Sequence, residues 1–173
     1  MSARKKFTGD ASGLNESVLL VEDDGNDVLL TTLAVRKILP SLPVKIVVNG
    51  EEAISYLRGD GIYADRKKYP LPGLVLLDLH MPRKTGFEVM EWIRQEAAFQ
   101  QLPVIVFSSS ATPSDVHEAC RRGANSFLIK PLHFEDWVEL LRSTVVEWMQ
   151  NREIPQALRV PVRRKAIGRF SAL

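Results

Sequence analysis

The sequence predicts a doubly wound α/β fold built on a parallel sheet of five strands, and three observations carry that prediction. Short, fully apolar runs recur along the chain at Val18–Val21, Leu74–Leu77 and Phe127–Ile129, as strands buried on both faces require. Segments of helical apolar spacing separate the strand candidates, so strand and helix alternate five times. Each of the three runs ends in a chemically loaded residue: Glu22-Asp23-Asp24, Asp78 and Lys130-Pro131. Parallel strands would align those ends along one edge, where open α/β sheets bind their ligands.

The elements follow in order. Met1 to Glu16 is polar and rich in Ser, Gly and Lys, and is read as a flexible leader. Ser17 to Glu22 is the first strand. Asn26 to Leu39 places Val28, Leu29, Leu33, Ile38 and Leu39 near helical spacing, and Pro40 closes it. Val44 to Val48 is the second strand, followed by an Asn49-Gly50 turn and a helix over Glu51 to Leu57. Arg58 to Pro72 reads as a long polar loop, a length often tied to function. Leu74 to Asp78 is the third strand, and a Pro82/Gly86 turn leads into a helix carrying Phe87, Val89, Met90, Trp92 and Ile93. Pro103 to Phe107 is the fourth strand and ends in Ser108-Ser109-Ser110. A helix over Pro113 to Arg122 stops at Gly123. Ser126 to Lys130 is the fifth strand, and Phe134 to Met149 is an amphipathic last helix through Trp137, Val138, Leu141, Val145 and Trp148.

Composition narrows the function classes. The chain has 173 residues, 45% hydrophobic and 25% charged, which suits one core domain with short extensions. No apolar run approaches the roughly 20 residues of a membrane span, and no secretory h-region opens the chain. The single cysteine, Cys120, excludes an intrachain disulfide and fits a reducing, cytoplasmic compartment. The net charge of +2 hides a basic tail: from residue 151 to 173 six basic residues face one acid, Glu153. A solvated tail is expected there, and nucleic-acid binding is not.

The rim itself suggests a chemistry. In the flavodoxin-like strand order 2-1-3-4-5 the first and third strands are neighbours at the topological switch point. Glu22, Asp23 and Asp78 then share one edge with Ser108, Ser109 and Lys130. Clustered carboxylates repel unless a positive charge offsets them, and Mg²⁺ suits few carboxylates and a phosphate partner. A carboxylate beside a metal, with a lysine and a hydroxyl facing it, makes a phosphoryl acceptor.

The runs Leu20-Val21-Glu22-Asp23-Asp24, Leu77-Asp78-Leu79-His80-Met81-Pro82 with Gly86, and Ser126-Phe127-Leu128-Ile129-Lys130-Pro131 resemble the receiver domain of two-component response regulators, over about residues 17–150. The resemblance implies Asp78 as phosphoacceptor and Glu22, Asp23, Asp78 and the backbone carbonyl of His80 as Mg²⁺ ligands. It implies Ser108 as the phosphoryl-binding hydroxyl, Lys130 as its cationic partner and Phe127 as the switch aromatic coupled to Ser108. Ser109 is then the small residue that lets the phosphoryl group enter. His80 and Ser110 hold the positions that tune phosphoryl lifetime, and Lys130-Pro131 is expected to be cis. His117 and His133 read as surface or capping residues. Glu22 departs from the commoner Asp, and its longer side chain is expected to reach the metal.

Such a chain is not a conventional enzyme but a stand-alone phosphoacceptor: 1–16 leader, 17–150 receiver and 151–173 basic tail. Its expected donor is a sensor histidine kinase, and the long loop resembles regulators paired with phytochrome-like kinases. The apolar residues of the last helix and tail suggest a homodimer. Rival readings fit less well. A haloacid-dehalogenase-like phosphatase needs an acid where His80 stands, and a dinucleotide-binding module needs a glycine-rich turn where Asp23-Asp24-Gly25-Asn26 stands.

Overall fold

The computed structural model describes residues 17–151. Five parallel strands, β1 (Val18–Val21), β2 (Val44–Val47), β3 (Leu74–Leu77), β4 (Val104–Ser108) and β5 (Ser126–Ile129), form one sheet in the order β2-β1-β3-β4-β5. The flavodoxin-like order expected from sequence is the one observed. Val18 of β1 lies opposite Val44 on one side and Leu74 on the other, so β1 and β3 end level with each other.

Strand parity explains the layers. Leu19, Val21, Val75, Leu77, Val104 and Val106 point to one face and pack with α2 (Gly50–Arg58), α3 (Gly86–Gln95) and Ala119 of α4 (Pro113–Arg121). Val18, Leu20, Leu74, Leu76, Ile105 and Phe107 point to the other and pack against α1 (Gly25–Ile38) and α5 (Phe134–Leu141). Both faces are buried because right-handed crossovers put helices on each side. Trp137 of α5 is buried edge-on to Phe107, with ring centroids 4.9 Å apart.

Local chemistry sets the helix starts. Asn49 caps α2, and Thr85 and Glu88 form a reciprocal capping box on α3. Thr112 caps α4, with Pro113 in its first turn. The last helix changes its hydrogen-bond pattern part-way: a π-helical turn (Arg142–Val146) joins α5 to α6 (Glu147–Asn151) with no break in helical backbone. Ser143 and Thr144 hydroxyls both donate to the Leu140 carbonyl, at 2.9 and 2.7 Å. Such local side-chain bonds compete with the regular ladder at this turn.

The stretch expected as a long loop is organised. It contains a 3₁₀ turn (Gly61–Ala64), and Tyr56, Tyr63 and Tyr69 pack together with centroids 5.1 to 6.1 Å apart. Arg66 donates to the carbonyls of Tyr56 and Leu57 at 2.8 and 2.7 Å, satisfying the C-terminus of α2. The Tyr56 hydroxyl donates to the Pro70 carbonyl at 2.7 Å. Arg94 similarly ties α3 to the entry of β5 through the Gly123 carbonyl and the Asn125 side chain. The expected leader, 1–16, and the expected basic tail beyond residue 151 lie outside the described residues.

Candidate functional site

The site is built by backbone first. The Asp78 amide donates to the Val21 carbonyl, and the Glu22 amide to the Val47 carbonyl, each at 3.0 Å. These bonds carry the sheet ladder one residue past its strands and hold both acids at the rim. Across the sheet, the Lys130 amide donates to the Ser108 carbonyl at 2.9 Å. The indole of Trp137 donates to the Pro131 carbonyl at 2.7 Å, so α5 anchors the segment that follows Lys130.

The side chains then converge. Oxygens of Glu22, Asp23 and Asp78 all lie within 4.8 Å of one another. Glu22 and Asp78 are buried and Asp23 is exposed, so the cluster opens toward water on one side. Asp24 is not part of it: its carboxylate caps α1, accepting from the Asn26 and Asp27 amides at 2.8 and 3.1 Å. Hard carboxylate oxygens without nitrogen or sulfur donors fit a hard divalent cation, and the excess of negative charge gives such an ion a reason to bind.

One ammonium already serves the cluster. Lys130 Nζ lies 2.5 Å from Glu22 Oε2 and 2.8 Å from Asp27 Oδ2, with Asp78 Oδ2 at 3.7 Å. Burial pushes the Glu22 carboxyl up to about 7, and the Asp78 charge adds to this, while the Lys130 contact works against it. For Lys130 burial pulls downward, but the bonds to Asp27 and Glu22 and the nearby Asp78 outweigh it and hold the ammonium above its ordinary value. The ammonium is secure, and the carboxylates compete for it.

The two Asp78 oxygens differ. Oδ1 accepts from the Leu79 amide at 2.8 Å, which leaves Oδ2 facing Lys130. Ser108 is fully buried at the end of β4, Ser109 is exposed beside it, and the Ser110 amide points at Ser108 Oγ from 3.4 Å. Phe127 is half-buried against the core layer of α2 to α4. The His80 ring is exposed and its Nε2 lies 3.7 Å from Asp115 Oδ2 on α4. His117 is exposed, and His133 stands at the N-cap of α5 without a capping bond from its side chain. The expected cis bond is absent: every described peptide is trans, Lys130–Pro131 included. The trans form is the lower in energy before proline by about 0.5–1 kcal/mol.

Asp27 was not among the residues singled out from sequence. An acid in the first turn of a helix reads as a complement to the macrodipole, and nothing local shows that it meets a lysine 103 positions away.

The model of the response regulator receiver domain family matches residues 18–142. The chain belongs to that family. This receiver is similar to the phosphorylated cyanobacterial phytochrome response regulator RcpA, with a TM-score of 0.74 and 28% identity over 82% of this chain and 99% of that one. Its likeness to RPA3017, a response regulator in red light signalling of R. palustris, has a TM-score of 0.75 and 36% identity over 80% and 97% of the two chains. The Mn²⁺-bound form of Rcp1, a response regulator of Synechocystis, gives a TM-score of 0.71 at 28% identity, covering 81% of this receiver and 99% of Rcp1. The receiver is thus a phosphorylation-based signalling domain, of a family that works with histidine kinases. Among its described residues no helix is long and apolar enough to cross a membrane.

Proposed function

We propose that this receiver takes a phosphoryl group onto Asp78 from a sensor histidine kinase, of the phytochrome-like type named for its similar structures, and does so with Mg²⁺. The observation that carries the reading is the buried Asp78 carboxylate facing the Lys130 ammonium at 3.7 Å. Asp78 Oδ2 attacks phosphorus, a new O–P bond forms, and the P–N bond to the kinase imidazole breaks, its electron pair staying on nitrogen. Oδ1 stays bonded to the Leu79 amide and fixes the plane of the nucleophile. Lys130 offsets charge on the transferring oxygens, and Ser108 donates its hydroxyl to one of them. Glu22, Asp23, Asp78 and the His80 carbonyl would hold Mg²⁺, which supplies further charge neutralisation when bound.

Ser109 is small and exposed, which suits it to the entry side, and the Phe127 ring is the candidate to move with Ser108. His80 and Ser110, each two residues beyond Asp78 and Ser108, are assigned to phosphoryl lifetime, including the domain's own dephosphorylation. A cytoplasmic location agrees with the lone Cys120, whose thiol burial pushes further up and away from reactivity. The decisive test is chemical. After reaction with phosphorylated kinase or a small phosphoryl donor, borohydride reduction and peptide mapping are expected to mark Asp78; a label on any other residue sinks the assignment.

The proposed output is a homodimer through the last helix and tail. Ile129 is 57% exposed and Leu132 95% exposed, both beside the start of α5, and apolar surface of this kind favours contact between chains. Light scattering is expected to show a mass increase when beryllofluoride and Mg²⁺ are added, and no increase in Asp78→Asn. An unchanged mass would rule out a dimer switched by phosphorylation.

A further inference from the structure

We propose that Asp27 is a positioning residue that holds the Lys130 ammonium on the α1 side of the rim, away from the Asp78 oxygen that takes the phosphoryl group. The inference rests on the reading of Asp78 as acceptor, and extends it to a residue that the phosphoryl chemistry itself does not use.

The Lys130 ammonium has three N–H groups and no acceptor. One is spent on Glu22 Oε2 at 2.5 Å and one on Asp27 Oδ2 at 2.8 Å. Asp78 Oδ2, at 3.7 Å, is beyond hydrogen-bond reach. The Lys130 side chain is only 5% exposed, so water cannot replace a lost partner and the carboxylates decide where the charge sits. Glu22 and Asp78 belong to the group of converging oxygens; Asp27 does not. Once Glu22 turns to a cation, Asp27 is the partner still pulling Lys130 from the acceptor.

Asp27 is well fixed for that task. It lies in the first turn of α1, and its amide donates to the Asp24 cap at 3.1 Å. Its carboxylate is 24% exposed, so its hold on the lysine is weakened by water but not removed. A phosphoryl group on Asp78 adds negative charge beside Lys130 and draws the ammonium toward it, against the pull of Asp27. The Lys130 contact to the first turn of α1 is weakened as a result. Asp27 thereby sets how readily the site accepts the group, and links that event to α1.

The test uses the full chain and beryllofluoride as phosphoryl mimic, with Mg²⁺ in excess. Asp27→Asn keeps the shape and removes the charge, and is expected to bind the mimic about fivefold more tightly, the scale of one partly exposed charge contact. Asp27→Glu keeps the charge and is expected to return to within twofold or so of the parent, as a retained carboxylate should. In the ligand-free protein, the Lys130 ammonium proton signals in NMR are expected to exchange faster with water in Asp27→Asn. Mere structural damage would loosen the mimic rather than tighten it. Unchanged or weaker binding in Asp27→Asn, or an unchanged Lys130 exchange rate, overturns the proposal. Mimic bound equally well by Asp78→Asn would instead overturn the acceptor assignment, while the exchange rate still judges the Asp27 tether by itself.

Discussion

Gly86→Ala is expected to cost this domain about 3 kcal/mol or more, at the upper end of what overpacking does. A Cβ at Gly86 would fall far inside van der Waals contact of the Asp78 carbonyl oxygen and within 2.9 Å of Leu79 Cα. Both obstacles are backbone, so no side chain can swing aside. The Gly86 amide also donates to the Leu79 carbonyl at 3.0 Å, closing the turn that carries His80, Pro82 and Arg83 back onto the strand end. Relief requires the Asp78 peptide to shift, and the carboxylate proposed as acceptor moves with it. Thermal unfolding should therefore fall by roughly 10 °C for a domain of this size, and phosphoryl uptake should fall in the protein that remains folded. A variant with unchanged melting would mean that the turn yields without strain.

The second large effect is a stability that declines toward neutral pH when divalent cations are chelated. Glu22 is held up to about 7 in the folded chain against an ordinary 4.5. Between those two values the folded state keeps a proton that the unfolded state has released. Stability from this group is complete below about pH 4.5, falls as pH rises, and is lost beyond pH 7. The difference amounts to about 3 kcal/mol. The neutral, isosteric Glu22→Gln should remove the slope and leave the chelated protein more stable than the parent at pH 8, by about 2 kcal/mol once the weaker Lys130 contact is discounted. Glu118, kept near 2 by its bonds to Arg121 and Arg122, and Glu88, lowered by the Thr85 capping box, act on the other limb. They favour the folded state above the ordinary carboxyl range and lose that effect as pH falls. Urea unfolding midpoints from pH 4 to 8.5 in chelator test the point; a flat or rising profile above pH 5 in the parent would refute it.

Much of this molecule is legible in its sequence, for a physical reason. Strands buried on both faces are written as unbroken apolar runs, and Val18–Val21 and Leu74–Leu77 each fall within one residue of their expected limits. Their loaded ends converge because parallel strands must end on one edge. What stays hidden depends on side chains meeting across the fold. Arg66 closing α2, Tyr63 and Tyr69 packing on Tyr56, and Asp27 reaching Lys130 involve residues that, taken locally, read as polar loop, helix interior or helix start. The π-helical turn is equally silent, since Ser143 and Thr144 fit a surface helix until their hydroxyls turn to the Leu140 carbonyl. The trans peptide at Lys130–Pro131 runs against the family resemblance and could not be read from composition.

The segment between residues 58 and 72 also bears on how the chain finds its fold. Val18 and Leu74 pair although 56 positions separate them, so the central β1–β3 contact closes a long loop of chain. Removing residues 58–72 would shorten that loop by about a quarter. The closure entropy depends only on the logarithm of length, so the change is about 0.3 kcal/mol. The folding search is hardly burdened by the extra chain, which the tyrosines and Arg66 pack down in the native fold. A lineage could lengthen or reshape this segment and meet almost no topological resistance from the sheet.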